Sequence, residues 1–417
     1  MTIYPALDGH VRFVRAHSPF YRALYAGLTG PFALTDLPIV DQPAFWAANT
    51  VRDNGILTGP QTGGIVFKTG GTTSAPRVSV YTREEWREMA RTFATGLAAA
   101  GLRSGDRVAN LYHAGELYSG FIFTLNALQE ALTDTVQLPI AGNAPLEFAV
   151  QTMLDFAATV VAGFPTYLVE LARNVCAGVG SLPGVRLLLF SGEAFYDDQR
   201  AVIAAAFPNA VVRSIGYASV DAGILGAPVE GEDLRVFRGF GGQRILELVD
   251  PDTAEPITKA GRAGRLLLTD LGRRLLPIIR YPVGDLVEWT DYAARTFRLL
   301  GRAGEGARIG HVTLHLDYLR EAVDNAIGDA VVDGFQVVLR RAAAQDQLVL
   351  RVAAGAADRP AAEADLRARV DLLSPRFADQ VRTGVCPPLQ VEWVPPAGIV
   401  TNRRTGKVLR LIDERPV

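Results

Sequence analysis

Val185-Arg186-Leu187-Leu188-Leu189-Phe190 is an apolar run that ends in Ser191-Gly192-Glu193. Asp197 to Ala206 then reads as a helix, and Ala210-Val211-Val212-Arg213-Ser214-Ile215 is a second strand-like run that stops at Gly216-Tyr217. Strand, helix and strand joined by short turns predict neighbouring strands of a mostly parallel, doubly wound sheet. In such sheets ligands bind beyond the carboxyl ends of the strands. Ser191-Gly192-Glu193 and Gly216-Tyr217 each follow a strand immediately, so both stand where a ligand is expected.

The same rhythm extends towards the N-terminus. Glu84 to Ala100 is an amphipathic helix closed by Gly101, and Asp106 to Leu111 is a buried strand. Glu147 to Phe156 is helical, Ala158 to Ala162 a strand, and Tyr167 to Cys176 a helix. From about residue 230 the texture changes to short strands and turns: Arg244 to Val249, Gly264 to Thr269 and Ile278 to Tyr281. Gly301-Arg302-Ala303-Gly304-Glu305-Gly306 is a glycine-rich, charged break and the candidate linker. Beyond it Leu316 to Ile327 and Ala361 to Leu373 read as helices, Gln336 to Arg340 and Gln347 to Ala353 as strands. The expected fold is α/β. A large N-terminal domain (1–302) has doubly wound, mostly parallel sheets and a β-rich subdomain, and a small mobile α+β domain (303–417) follows.

Composition narrows the function. The 417 residues carry a net charge of −2 with 49% apolar residues, and no basic block speaks for nucleic acid or a membrane surface. Cys176 and Cys386 lie far apart without metal-ligand spacing. His311 and His315 are four apart, but no H-E-x-x-H pattern surrounds them. No signal peptide opens the chain and no run of about 18–20 apolar residues could span a bilayer. The expectation is a soluble cytoplasmic protein.

The loop Phe67-Lys68-Thr69-Gly70-Gly71-Thr72-Thr73-Ser74-Ala75-Pro76-Arg77 lies between two short apolar runs. Hydroxyls and glycine amides can make a concave row of donors around phosphate oxygens; the same composition also makes a polar hairpin turn. The P-loop pattern is absent, and so is a G-x-G-x-x-G after a strand. Thr69 to Arg77 resembles instead the phosphate loop of the adenylate-forming enzymes: acyl- and aryl-CoA synthetases, peptide-synthetase adenylation domains and luciferases. The phenylacetate-CoA ligase-like branch is the nearest. The length, His17-Ser18-Pro19-Phe20-Tyr21-Arg22 and Tyr81-Thr82 fit it, and the resemblance runs through nearly the whole chain as an ordered series of short motifs.

The resemblance implies ATP and Mg²⁺ as cofactors and assigns residues. Thr69, Gly70, Gly71, Thr72, Thr73 and Ser74 would hold the phosphates. Gly192, Glu193 and Ala194, in Ser191-Gly192-Glu193-Ala194-Phe195, would hold adenine, joined by Ile215, Gly216 and Tyr217. Asp285, in Arg280-Tyr281-Pro282-Val283-Gly284-Asp285, would bind the ribose, since a fixed carboxylate accepts two hydrogen bonds from a diol. Arg302 would touch ribose or phosphate. Lys407 matches the mobile catalytic lysine of the small domain: a carboxylate attacking a phosphate builds up negative charge, which a positioned ammonium offsets. Tyr112, His113, Phe164 and Tyr217 would line the pocket of a flat, mostly apolar acid.

Two motifs depart from the family. Ser219 stands where a magnesium-binding glutamate is expected, and Asp221, two residues on, points the same way in an extended segment and is the candidate replacement ligand. Arg308-Ile309-Gly310 separates by one residue the arginine and glycine that flank the CoA arm in CoA-using members. The reading is therefore ATP-dependent adenylation of a small carboxylic acid, expected to be aromatic and to belong to secondary metabolism such as antibiotic biosynthesis. The acyl group would pass to CoA, a carrier-protein thiol or a partner reductase, with no nucleic acid or membrane involved. The rival is a catalytically inactive ATP- and acid-binding member of the fold. A hydrolase lacks its G-x-S-x-G turn and a kinase its signature loops.

Overall fold

The protein is described by a computed structural model covering residues 4–68, 77–193, 195, 198–251, 253–302, 306–309, 312–328, 330–342, 345–384, 386–401 and 407–415. Three helices open the chain, α1 (Pro5–His17), α2 (Pro19–Leu24) and α3 (Gln42–Ala48), each with proline in its first turn, where a missing N–H costs nothing. The strands β1 (Ile65–Lys68) and β2 (Val78–Tyr81) pair antiparallel across the 69–76 loop. Helix α4 (Arg83–Ala94) starts with a reciprocal cap between Thr82 and Glu85 and buries Trp86, Met89, Ala90 and Phe93 on one face. It is shorter than the expected Glu84 to Ala100. The Thr95 hydroxyl bonds the carbonyl of Thr92 at 2.7 Å, and the chain continues to Gly101 as turns.

The alternating region follows: β3 (Arg107–Asn110), α5 (Gly120–Gln129), β4 (Val136–Leu138), α6 (Leu146–Asp155), β5 (Val160–Gly163), α7 (Pro165–Gly178), β6 (Leu187–Phe190), α8 (Asp198–Ala206) and β7 (Val211–Ser214). The five strands form one fully parallel sheet in the order β4-β3-β5-β6-β7. Side chains alternate across it. Val160 and Ala162 join one core, with Trp86, Phe93 and Tyr112; Val161 and Leu188 join another, with Met153, Leu171 and Phe207. The strand order reverses between β3 and β5, which makes the gap between their carboxyl ends the switch point of the sheet.

The β-rich part is a single antiparallel sheet built from β8 (Tyr217–Ser219), β9 (Gly223–Pro228), β10 (Val236–Gly239), β11 (Arg244–Val249), β12 (Ala263–Asp270), β13 (Ile278–Asp291) and β14 (Thr296–Arg302), in the order β11-β12-β13-β14-β10-β9-β8. The strand expected to stop at Tyr281 runs on for ten more residues. Pro282 and Gly284 read as breaks in sequence, but the ladder absorbs them as a bulge: Leu267 faces Pro282 while Arg265 faces Leu286. Asp285 lies in that bulge.

The remainder comprises the hairpin β15 (Gly306–Ile309) and β16 (Val312–His315), α9 (Leu316–Ile327), β17 (Val332–Ala342), β18 (Gln345–Ala354), α10 (Arg359–Leu373), α11 (Pro375–Arg382), β19 (Gln390–Trp393) and β20 (Leu411–Asp413). Its mixed sheet has the order β19-β18-β17-β20 and its own core around Leu319, Val337, Leu350 and Phe377. β14 extends through Gly301 and Arg302, and β15 begins at Gly306, so the expected linker narrows to 303–305, outside the described residues. Among the described residues no helix is long and apolar enough to cross a membrane.

Candidate functional site

The carboxyl ends of four parallel strands converge on one cleft of about 2270 Å³. Tyr112 follows β3, Phe164 follows β5, Ser191 to Glu193 follow β6, and Ile215 to Tyr217 follow β7. At the switch point the rings of Tyr112 and Phe164 meet edge to face with centroids 5.1 Å apart. Phe164 precedes Pro165, the first residue of α7, so its ring is set at the mouth of the helix. Ser191 donates its hydroxyl proton to the Tyr112 oxygen at 3.1 Å, and burial pushes the Tyr112 phenol above its ordinary value.

Lys407 comes from the far end of the chain to this point. Its Nζ lies 4.9 Å from the centre of the Phe164 ring and 5.6 Å from that of Tyr118, within cation–π range. Gly192 makes room for it. A Cβ there would sit 2.8 Å from Lys407 Nζ and 2.9 Å from Phe164 Cε1, and the φ of +80° disfavours any other residue. Glu193 Oε2 accepts from the Thr166 N–H at 3.1 Å and from its hydroxyl at 2.7 Å, while Oε1 accepts from the N–H of Val408 at 3.4 Å.

The opposite wall belongs to the antiparallel sheet. The Tyr217 hydroxyl donates to Asp285 Oδ2, and the Tyr217 ring packs on Phe237 and Phe297. Ile215 is buried behind it. Gly216 has a φ of +143°, and a Cβ there would meet the Phe93 ring at 2.6 Å. Arg280 and Tyr281, the residues that open the Asp285 motif, serve structure. Arg280 makes two 3.1 Å bonds to Glu247 and one to the Leu37 carbonyl, and Tyr281 donates to Asp221. The Arg302 backbone pairs with Asp285 on the neighbouring strand.

The geometry bears on two sequence expectations. The Asp221 carboxylate is surrounded by protein donors. Oδ2 accepts from Arg77 at 3.1 Å and Tyr281 at 2.9 Å, and Oδ1 from Ser219 at 2.8 Å and the Ala222 N–H at 3.0 Å. Ser219 is spent in the same network, and among the described residues no group of three or more His, Cys, Asp or Glu could hold an ion. Mg²⁺ is ordinarily held by one or two carboxylates with phosphates and water, and the Asp221 carboxylate is committed here to protein donors. His113 is half-buried behind Phe164, with nearly parallel rings 6.1 Å apart, and is not among the described residues lining the cleft. Burial lowers its pKa, and the Glu193 carboxylate opposes that shift. The expected phosphate-loop residues Thr69, Gly70, Gly71, Thr72, Thr73 and Ser74, and Ala194, lie outside the described residues.

Sequence reading missed the far end of the cleft. Phe67, Trp86, Phe93, Tyr118 and Phe123 all line it, with Phe67–Trp86 and Phe93–Phe123 centroids both 4.8 Å apart. Tyr118 closes the segment Tyr112-His113-Ala114-Gly115-Glu116-Leu117-Tyr118, which follows the Asp106 strand where the resemblance puts the acid pocket, and so was within reach of the sequence. The other four come from three elements, Phe67 from β1, Trp86 and Phe93 from α4 and Phe123 from α5, and only the fold brings them together.

No family model matches the chain. It is 30% identical to the phenylacetate-coenzyme A ligase of Thermus thermophilus over 97% of this chain and 94% of that one. Among solved structures, 2-hydroxyisobutyryl-CoA ligase in the postadenylation state superposes with a TM-score of 0.75 at 23% identity, covering 98% of this chain and 88% of that one. The same ligase in the thioesterification state, at the same identity and coverages, gives 0.64.

Proposed function

The chain belongs to the phenylacetate-CoA ligase branch of the adenylate-forming enzymes and is an acid–AMP-forming ligase; from that premise we propose that its acid is aromatic and that Lys407 is its adenylating cation. The observation that carries the reading is the seat of the Lys407 ammonium over Phe164 and against Gly192, at the carboxyl ends of β5 and β6. We assign the ATP ribose to Asp285, held by Tyr217, and the phosphates to the loop from Thr69 to Ser74, with Arg302 beside them. Gly192 to Ala194 and Ile215 to Tyr217 flank adenine in this assignment.

The acid's ring enters between Tyr112, Tyr118 and Phe164, towards Trp86 and Phe123. Aromatic walls with few polar groups suit a flat apolar body whose carboxylate points back to the lysine. The carboxylate oxygen attacks the α-phosphorus in line and pyrophosphate leaves. Lys407 offsets the charge that builds on the crowded oxygens, in a site where low dielectric strengthens the effect. CoA is the acceptor we take from the relatives, with a carrier-protein thiol or a reductase as alternatives; the setting in secondary metabolism rests on the family resemblance. The isoleucine that interrupts the expected acceptor motif, Ile309, is fully buried in the core of the C-terminal part, which gives it a packing role. We place the division into domains at 302/303, with the smaller part carrying Lys407.

The test is ATP–pyrophosphate exchange against a panel of aryl and alkyl acids, with Lys407→Ala alongside. Exchange should depend on one acid class and fall by about a hundredfold or more in the variant. A protein that binds ATP but exchanges with no acid would instead be the inactive member of the fold. The Ser219 hydroxyl, tied to Asp221 where the family has a glutamate, is the observation that favours that second reading.

A further inference from the structure

We infer that Glu193 is a positioning residue for Lys407, holding the lysine segment in place for the adenylating half of the reaction and releasing it for the second half. The inference rests on the adenylation reading and adds a second role to the adenine contact assigned to Glu193 above. Thr166 is the second residue of α7, so its N–H is one of the helix's donors without an intrahelical partner. Glu193 Oε2 accepts that N–H together with the Thr166 hydroxyl, which fixes the carboxylate against the positive end of the helix. The second oxygen, Oε1, is thereby presented to the N–H of Val408, the residue directly after the lysine.

The strengths of the two halves differ. The bonds to Thr166 are 2.7 and 3.1 Å, whereas the contact to Val408 is 3.4 Å, longer than the usual N–H···O bond. Glu193 is therefore firmly attached to α7 and loosely attached to the lysine segment, as a contact that must open and close requires. A second contact lies on the same face of the helix. Arg173, seven residues or two turns beyond Thr166, pairs with Asp333 on β17. Among the described residues, Arg173 and the Glu193 carboxylate seated on Thr166 both link this end of the molecule to the C-terminal part of the chain, and Glu193 is the nearer to the chemistry.

The chain itself supplies a clean probe. Only three lysines occur in 417 residues, Lys68, Lys259 and Lys407, and Lys259 is exposed and remote enough in sequence from the other two to serve as an internal reference. The wild type, Glu193→Gln and Glu193→Ala are compared in three measurements. ATP–pyrophosphate exchange should fall about ten- to a hundredfold in Glu193→Ala, through kcat, since misplacing a catalytic group by about 1 Å can cost that much. Glu193→Gln keeps one acceptor oxygen and should fall between the two. Thioester formation from supplied acyl adenylate and CoA should fall clearly less than exchange does, because that step does not need the lysine seated. Labelling with an amine-reactive acetylating agent, read by mass spectrometry, should modify Lys407 several-fold faster relative to Lys259 in Glu193→Ala.

A loss of exchange seen only as a raised KM for ATP would leave Glu193 with the adenine contact alone and overturn the inference. Equal losses in both half-reactions, or unchanged labelling of Lys407, would overturn it as well. If the wild type exchanges with no acid at all, it is the adenylation reading that fails. The labelling ratio then still decides whether Glu193 seats the lysine segment.

Discussion

Asp221 and Glu193 are two carboxylates lining the same cleft, and they use their oxygens in opposite ways. Asp221 collects four donors, from Arg77, Tyr281, Ser219 and Ala222, and its backbone carbonyl accepts from Arg273 at 2.6 Å. Every partner lies between residues 77 and 281, and Tyr281 is fixed in turn by Trp46 and Gln42. Glu193 has a firm side, on Thr166, and a loose side, on a residue 215 positions away in sequence. A buried ion whose partners all belong to one packed body has no second arrangement to move to, so its network fixes shape. An ion that divides its bonds between two bodies can exchange one set without unfolding either. The acid that looked from sequence like a metal ligand is thus a rivet, and the one that looked like an adenine seat is a latch.

The comparison breaks most visibly at Asp221. Asp221→Ala takes the acceptor of the Tyr281 hydroxyl and one of the acceptors of Arg77, which keeps its bond to Gln42, and removing one partner of a buried pair costs about 3–5 kcal/mol. Chemical unfolding should show that loss, with activity falling alongside it. Glu193→Ala measured in parallel should stay within about 1 kcal/mol of wild type, since its carboxylate is only half-buried. Similar losses for the two variants would erase the distinction between rivet and latch.

Acid tests the shape-fixing side by another route. His10 is buried on α1, among the described residues its Nε2 has no hydrogen-bond partner, and burial, with the Arg274 charge adding to it, pushes its pKa down to about 4. The unfolded chain protonates His10 near 6.5, so the unfolded state binds more protons between those two values. Stability present at neutral pH is therefore lost as pH falls from about 6.5 to about 4, by about 3 kcal/mol in total. Urea unfolding at pH 7 and pH 5 should show this slope, and His10→Leu should flatten it. A wild type whose stability is level across that window would remove His10 as a source of acid sensitivity and leave the neutral state of the core unexplained.

How much of this was legible in the sequence follows from the range of the interactions. The alternation from β3 to β7 was readable, because each strand and helix carries its own apolar pattern. So were the positions of Gly192, Glu193, Gly216 and Phe164 at strand ends, because strand ends are local. Helix α9 was read with its observed bounds, Leu316–Ile327. The extent of β13 was not, since Pro282 and Gly284 are breakers unless a bulge absorbs them, and the bulge depends on the partner strand. The role of Asp221 was not readable for the same reason. Extended geometry gave the correct relation to Ser219, with the two side chains 2.8 Å apart, but nothing local reveals Arg77, 144 positions away, or Tyr281. The parallel β4 (Val136–Leu138) escaped because three residues carry no period to detect.

The smallest expected effect tests whether the latch acts alone. Arg173 and Asp333 are 39% and 23% exposed, so the pair contributes at most about 1 kcal/mol to stability and is screened by salt. Arg173→Ala should unfold like wild type within that margin. Its exchange rate should nonetheless fall a few-fold at low salt, because the pair biases α7 towards the arrangement in which Lys407 is seated, and a bias of about 1 kcal/mol is a factor of about five in population. Raising the salt should slow the wild type towards the variant and leave the variant nearly unchanged. Thioester formation from supplied acyl adenylate should show neither effect. If variant and wild type respond to salt alike, Arg173 contributes nothing to the bias, and holding the small part over the cleft falls to Glu193 and to the packing of Lys407 on Phe164.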